Sequence, residues 1–349
     1  MRAGTRGARL LLALLAAGVA GCAAVRVSDK ELPAQPIALL YRNPEQARLR
    51  SEGIVAQKEA AGLGRPARRR SKRPGVVVDV DDVTGYLQRV LGLEGRERKE
   101  NEGRLALLDP LTGRVQPVPA ALRGSWPHAW SPDHKRLLFS QLVGHYPQLF
   151  EFDRELGTVR PITSGPAAHP GGCYGPEGRL ILMAVEVHRR PPVSRLLITE
   201  PGGGRPRPLT RGPQNYDPAC APDGSAVAYV ARPEHGSERI VVRKPVMGGR
   251  PRVLGPGRDP TFSPSSEWIA YSAPVKKEWK LWRVRPDGTG RAPIGRGSFD
   301  EQLPTVSPDG RLVVYVAGQA EEQHLYVRRF DGTGDRILFS NGDGLHPVW

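Results

Sequence analysis

The chain has 349 residues, of which 39% are hydrophobic, and it contains 41 glycines and 35 prolines. This composition is typical of many short strands joined by tight turns and argues against a helical bundle. The formal net charge of +15 predicts anionic neighbours. No nucleic-acid-binding motif accompanies that charge, so we expect no nucleic acid partner.

The first 21 residues have the features of a signal peptide. Three arginines precede an apolar run over residues 10–19 that is too short to span a membrane as a mature helix. Residues 19–22, Val-Ala-Gly-Cys, resemble the lipobox of bacterial lipoproteins, in which the cysteine is acylated and becomes the mature N-terminus. We therefore predict an acylated Cys22, with Ala23 favouring the outer membrane and its periplasmic side. The alternative is an ordinary signal peptide in which Cys22 is incidental.

Residues 22–75 are predicted to be a lipidated N-terminus followed by a flexible tether. Residues 45–60 are suited to a short helix, and a dense basic run follows them. This run is either a solvated spacer or a contact with anionic lipid or polymer. Its basic residues include Arg68, Arg69, Arg70, Lys72 and Arg73.

From about residue 76 a repeat governs the sequence. A four-residue turn signature recurs every 42 to 46 residues, and an alternating strand follows each copy. Proline fixes φ, aspartate can bond the backbone ahead of it and glycine accepts positive φ, so the signature predicts a tight turn. The five copies begin at Ser131, Gly175, Ala221, Ser263 and Ser307.

A second hairpin recurs six times, first at Leu105 and last at Leu325. Together the two patterns give four strands in each unit of a little over 40 residues, which is typical of a β-propeller blade. We therefore predict an all-β fold, a six-bladed propeller of four-stranded blades over residues 76–349. One blade is split: the last five residues supply its inner strand, and residues 76–120 supply the other three. Residues 76–80 and 86–91 both qualify as its second strand, and 94–102 reads as an exposed loop or short helix.

The repeat resembles the WD-repeat-like propeller repeat of the TolB family. The residues that carry the resemblance are a proline shortly before an apolar residue, the Ser-Pro-Asp-Gly turn, and the Asp-Gly hairpins at Asp287 and Asp331. The resemblance covers residues 76–349 and implies a six-bladed propeller that acts in the periplasm through protein contacts. About 50 residues between Cys22 and the first blade are too few for the separate N-terminal domain of that family.

Catalytic signatures are absent from the sequence. It contains no Gly-x-Ser-x-Gly elbow, no His-Glu-x-x-His, no phosphate-binding loop and no Cys-x-x-Cys pair. We therefore predict a non-enzymatic binding platform for an envelope protein or polymer, with no cofactor. The alternative is a metal-dependent lyase or hydrolase with its site at the channel mouth.

One set of polar residues recurs just before the inner strands. Propeller symmetry would bring these residues to one mouth of the central channel, where they would bind a metal or cationic ligand. The alternative is that they cap the starts of the strands and face water. The candidates are His128, His169, Asp217, Asp259 and His346, with Leu303 at the sixth position.

Two further features concern tryptophans and cysteines. Trp279 and Trp282 lie among lysines and are candidates for a partner-binding edge, but packing of one of them within its blade is favoured over exposure of both. Trp130 is predicted to be a core residue. Cys173 and Cys220 lie at repeat offsets that differ by one, so they should point to opposite sides of their strands. This favours two separate buried thiols over a disulfide.

Overall fold

The structure is a computed structural model, and it describes two parts of the chain, a short N-terminal segment and most of the C-terminal three-quarters. The described residues are 26–42, 103–119, 121, 124–144, 146–186, 189, 192–200, 205–212, 214–245, 249–295, 297–319, 322–340 and 343–349.

The described residues form 24 strands in six antiparallel sheets of four strands each, which confirms the predicted fold class. Each sheet is one blade, with its strands named in order from the innermost to the outermost. Blade 1 contains β24 (Asp343–Val348), β1 (Ile37–Arg42), β2 (Arg104–Leu108) and β3 (Val115–Pro117). Blade 2 contains β4 (Trp126–Trp130), β5 (Arg136–Val143), β6 (Tyr146–Asp153) and β7 (Thr158–Pro161). Blade 3 contains β8 (Ala168–Tyr174), β9 (Leu180–Glu186), β10 (Val193–Ile198) and β11 (Arg207–Pro208).

The other three blades follow the same plan. Blade 4 contains β12 (Asn215–Cys220), β13 (Val227–Ala231), β14 (Arg239–Arg243) and β15 (Arg252–Pro256). Blade 5 contains β16 (Arg258–Phe262), β17 (Ile269–Val275), β18 (Glu278–Val284) and β19 (Ala292–Pro293). Blade 6 contains β20 (Asp300–Val306), β21 (Leu312–Gln319), β22 (Glu322–Arg329) and β23 (Arg336–Phe339). The helices among the described residues are single 3-10 turns at Asp29–Glu31 and Pro176–Gly178.

The inner strands contact one another in ring order, and β20 of blade 6 meets β24 of blade 1 to close the ring. Antiparallel pairing places the turns between first and second strands at the same end of the blade as the turns between third and fourth strands. We call this end the turn face and the other end the opposite face. Because the six blades follow one another around the ring, blade 1 lies across from blade 4, and blade 2 lies across from blade 5.

The turn signature works as its residue types predict. Ser131 Oγ donates to Asp133 Oδ1 over 2.5 Å, and the Arg136 backbone N–H donates to Ser131 Oγ over 2.9 Å. The copy at Ser307 repeats this arrangement, with 2.6 Å to Asp309 and 2.9 Å from the Leu312 N–H. Side chains thus satisfy backbone donors that the turn leaves without a strand partner.

Blade 1 is split between the chain ends as predicted, but the prediction for its second strand is wrong. Neither 76–80 nor 86–91 supplies it, because β1 pairs with β24 on one side and β2 on the other. Ile37 and the three residues after it are 0–1% exposed. A continuous apolar run is typical of a strand covered on both faces, in this case by blades 6 and 2.

The propeller therefore begins before residue 76, and the described part of the predicted tether, 26–42, belongs to it. The basic run lies in the connection between β1 and β2, so it does not link an anchor to the propeller. Its contact with lipid or polymer stays a prediction. The predicted signal peptide, Cys22, the helix at 45–60, the basic run and the segments 76–80, 86–91 and 94–102 all lie outside the described residues.

The segment before β1 is packed against the seam between blades 6 and 1. Val27 and Leu32 are buried there with Ile37 and Leu312. Trp349, the last residue, is also buried, and its indole N–H donates to the Gln35 carbonyl over 3.0 Å. The described segment before β1 and the C-terminal Trp349 thus both help to close the ring at the split blade.

Candidate functional site: the central cavity

The inner strands of all six blades enclose a cavity of about 550 Å³. Its lining extends from the middle of these strands to the prolines of the turn signature, including Pro132, Pro222, Pro264 and Pro308 on the turn face. Four of the five predicted channel residues line it: His128, Asp217, Asp259 and His346. A cavity with a few converging polar groups is the usual form of a ligand site.

A β-bulge places these side chains. The register shifts by one residue in every inner strand, at Asp217 in β12 and at Asp259 in β16, for example. Asp217, Asp259, Leu303 and His346 each adopt φ between 50° and 54° and each precedes a proline. Proline lacks a backbone donor, so it is tolerated where the ladder is interrupted. In these four strands the residue before the proline is thus turned out of the ladder.

Blades 4 and 5 bring two carboxyl groups together. Asp259 Oδ2 accepts hydrogen bonds from Ser272 Oγ over 2.7 Å and from the Leu303 backbone N–H over 3.3 Å. The Asp259 N–H in turn donates to the carboxyl group of Asp217. Burial, and then the negative charge of Asp259, raise the pKa of Asp217 to about 8. Near neutral pH the pair therefore holds a proton, and a cation would compete for the same position.

Arg258 stands beside this pair and was not predicted from the sequence. Its Nε lies 3.7 Å from Asp259 Oδ2, and its Nη2 donates to Gln302 Oε1 over 2.7 Å. The guanidinium also lies 3.9 Å from the centroid of the Trp279 ring. Arg258 thus offsets part of the negative charge at the pair and links it to the tryptophan.

Blades 1 and 2 contribute two imidazoles on the other side of the ring. Nε2 of His128 is hydrogen-bonded to Ser140 Oγ at 2.8 Å. Burial, and then the neighbouring His346, lower the pKa of His128 to about 3, so its imidazole is neutral. The cavity therefore has a carboxyl side at blades 4 and 5 and an imidazole side at blades 1 and 2.

His169 does not line the cavity. It is 8% exposed, and its Nδ1–H donates to the Met183 carbonyl over 3.1 Å. Burial lowers its pKa. Its φ is not positive, unlike that of Asp217 in blade 4, and its imidazole bonds the backbone of blade 3. Within the described ranges, no three His, Cys, Asp or Glu side chains form a group that could hold a metal ion.

The two predicted tryptophans are half-buried. Trp282 packs against the apolar core between blades 4 and 5, with the Arg291 guanidinium 5.0 Å from its ring centroid. The Trp279 N–H donates to Asp300 Oδ1 over 2.8 Å. The neighbouring Lys280 is buried, and its Nζ donates to two backbone carbonyls. A partner at this edge would meet arginine-capped rings, and partner binding at this edge stays a prediction.

A disulfide joins Cys173 to Cys220, so the prediction of two separate thiols is wrong. The offset argument did not allow for how blades stack. The hydroxyl of Tyr174 donates to Glu151 of blade 2 over 3.0 Å, so Cys173, one residue earlier, points the other way, toward blade 4. Cys220 is equivalent to Tyr174 and points back toward blade 3. Side chains that point in opposite directions from equivalent strands of neighbouring blades thus meet between the blades. The disulfide also lines the cavity.

No family model matches the chain. An uncharacterised protein of Agrobacterium fabrum is 27% identical over 180 residues, which are 50% of this chain and 59% of that protein. Among solved structures, TolB from Acinetobacter baumannii has a TM-score of 0.61 at 20% identity, covering 72% of this chain and 63% of its own. A putative TolB from Agrobacterium tumefaciens has a TM-score of 0.57 at 22% identity, covering 67% and 87%.

The blade count shows a six-bladed β-propeller, and these TolB structures are similar to it in fold. The chain spans less than two-thirds of the length of the A. fabrum protein and of A. baumannii TolB. In the part of the chain that the structure describes, none of the helices has the length and apolarity to cross a bilayer.

Proposed function

We propose that this protein is a lipid-anchored envelope protein whose propeller is a non-enzymatic binding platform. The observation that carries the proposal is the cavity that all six blades form together, with its acid pair and its imidazoles held on bulges. Such a cavity binds one partner group without movement of the blades. The carboxyl pair of Asp217 and Asp259 suits a positively charged group, such as a basic side chain or an amine of an envelope protein or polymer.

The support for the lipid anchor comes from the sequence. The Val-Ala-Gly-Cys motif ending at Cys22 supports acylation, and Ala23 supports the outer membrane with the propeller in the periplasm. Acyl chains on the cysteine give lasting attachment without a membrane-spanning helix.

The test is in-cell crosslinking followed by affinity capture and mass spectrometry, with Cys22→Ala as the mislocalised control. The tag belongs in the exposed loop 234–236 and not at the C-terminus, because Trp349 is buried and its N–H donates to Thr305 Oγ1 over 2.9 Å. We expect a stoichiometric partner that is captured only with the wild type.

A pair of variants separates cavity binding from contact elsewhere. The double variant Asp217→Asn, Asp259→Asn keeps the shape of the acid pair and removes its charge, so we expect it to lose the partner. Asp287→Asn changes an acid in an exposed hairpin, where the carboxylate accepts hydrogen bonds from Thr289 of its own turn, and should retain the partner. Equal capture by both variants would overturn the cavity as the recognition site.

A further inference from the structure

The segment that follows the proposed anchor lies on the turn face. Glu31 is paired with Arg329, the last residue of β22, and Asp29 with Arg336, the first residue of β23. Both of these strand ends lie on the turn face of blade 6. Val27 is 2% exposed in the seam between blades 6 and 1, so the segment is fixed there from its first described residues.

The chain between this segment and Cys22 is short. Arg26 is the fourth residue after Cys22, and a fully extended chain of that length spans at most about 14 Å. If Cys22 carries lipid, as the proposed function holds, the bilayer surface is within that distance of the turn face at blades 6 and 1. This spacing excludes a long tether, which would leave the orientation of the propeller free.

Two exposed leucines occupy the same face next to this point. Leu111 is 49% exposed in the outer hairpin of blade 1, and Leu156 is 74% exposed in that of blade 2. The equivalent hairpins of blades 5 and 6 share the Asp–Thr turn of blade 1 but have no leucine at the tip. Exposed leucines on neighbouring hairpin tips are suited to the interfacial region of a bilayer, where apolar side chains leave water.

We propose that the turn face of blades 6, 1 and 2 rests on the lipid bilayer that holds Cys22, with Leu111 and Leu156 inserted into its interfacial region. The half of the ring with blades 3, 4 and 5, which carries Asp217 and Asp259, lies away from this contact. Leu142, Val143 and Phe299 are exposed on the opposite face and point away from the membrane. This inference rests on the lipid anchor of the proposed function and adds the orientation of the propeller.

The test places a fluorescent label at either end of one blade. Leu156→Cys is compared with Val143→Cys, because Val143 is 51% exposed at the other end of blade 2. In the full-length acylated protein, Cys22 is blocked by lipid and Cys173 is paired with Cys220, so the introduced thiol takes the label. Each labelled protein is reconstituted into phosphatidylethanolamine and phosphatidylglycerol vesicles that contain brominated acyl chains, which quench a nitrobenzoxadiazole label at bilayer depth.

We expect several-fold stronger quenching and a blue-shifted emission at position 156 compared with position 143. Leu111→Cys should behave like Leu156→Cys. Equal quenching at 156 and 143, or stronger quenching at 143, overturns the orientation.

Failure of the anchor is measured separately, by the mass of the N-terminal peptide and by co-flotation of protein with vesicles. An unacylated Cys22 would overturn the anchor and, with it, the orientation. An acylated, co-floating protein without preferential quenching at 156 would overturn the orientation alone.

Discussion

The carboxylate of Glu31 accepts two hydrogen bonds from the guanidinium of Arg329, 298 residues further along the chain, over 2.8 and 2.9 Å. This pair fixes the N-terminal segment to blade 6 just before the chain enters blade 1. The first and last parts of the described chain are thereby held at one seam. The pair also places the residues nearest the proposed anchor on the turn face.

Removal of this pair should weaken the seam. Hydrogen bonds from Arg329, and then the backbone N–H of Ser28, lower the pKa of Glu31 to about 2. The stabilisation is therefore present above the ordinary glutamate pKa of about 4.5 and is lost as pH falls toward 2. Because both side chains are partly exposed, solvent screens the pair, and we expect Glu31→Gln to cost about 0.5–1 kcal/mol at pH 7.

The measurement is urea unfolding at pH 7 and at pH 3. The matched control is Asp29→Asn, which removes a more exposed pair from the same segment and should have a smaller effect. If Glu31→Gln lowered the free energy of unfolding by the same amount at both pH values, its effect could not be assigned to the ion pair with Arg329.

The disulfide between blades 3 and 4 should contribute substantially to stability. It closes a loop of 47 residues, and the entropy of such a loop in the unfolded chain corresponds to a stabilisation of about 2–4 kcal/mol. We expect the double variant Cys173→Ser, Cys220→Ser to unfold at lower denaturant concentration by this amount. The oxidised and reduced wild-type proteins provide the control, and coincident unfolding curves for these two would contradict the prediction.

The acid pair predicts an unusual pH dependence. Because the pKa of Asp217 is raised to about 8 in the folded state, the folded protein holds a proton that the unfolded chain releases near pH 4. This group therefore lowers stability as pH rises between those two values. Asp217→Asn should raise the Tm at pH 8.5 by roughly 2 °C or more, and by much less at pH 5.

Asp109→Asn, for which the expected change in Tm has the opposite sign, serves as the comparison. Hydrogen bonds from Thr112, and then the Leu111 backbone, lower the pKa of Asp109. Asp109→Asn should therefore lower the Tm at pH 8.5. An equal effect of Asp217→Asn at pH 5 and pH 8.5 would show that the Asp217 carboxyl group is not protonated in the folded protein.

Metal ions test the enzymatic alternative. The imidazoles of blades 1 and 2 lie across the ring from the carboxyl pair of blades 4 and 5, and His169 is turned away from the cavity. We therefore expect Mn²⁺ and Zn²⁺ to leave the Tm unchanged and to show no stoichiometric binding by calorimetry. A stoichiometric metal that is lost in the Asp217→Ala, Asp259→Ala double variant would favour the lyase or hydrolase.

Local chemistry explains what the sequence predicts well. The turn signature and the strand after it need only neighbouring residues, so the five inner hairpins with turns beginning at Ser131, Gly175, Ala221, Ser263 and Ser307 follow from their residue types. The second strand of blade 1 depends on which distant segment fills a gap between β24 and β2, and 61 residues separate β1 from β2. The short apolar run at Ile37 was the one local signal for it.

The candidate site also has some features that the sequence predicts and others that depend on contacts between blades. Repeat symmetry predicts that Asp217 and Asp259 lie in neighbouring blades at the cavity, because both precede a proline at a bulge. His169 lies six residues before the turn at Gly175, whereas Asp217 and Asp259 lie four residues before theirs, so it is not equivalent to them and turns into its own blade. The disulfide depends on how neighbouring blades face each other, which the offsets of Cys173 and Cys220 within single repeats do not reveal.

Photo-crosslinking from inside the cavity tests the platform most directly. Benzoylphenylalanine replaces Leu303, which lines the cavity beside Asp259, and separately Val253, which is 55% exposed on an outer strand. In cells that make the acylated protein, irradiation should give one discrete adduct from position 303, lost when Asp217→Asn and Asp259→Asn are added, and none from position 253. No adduct from position 303, or an adduct that is indifferent to the acid pair, would contradict the cavity as the recognition site.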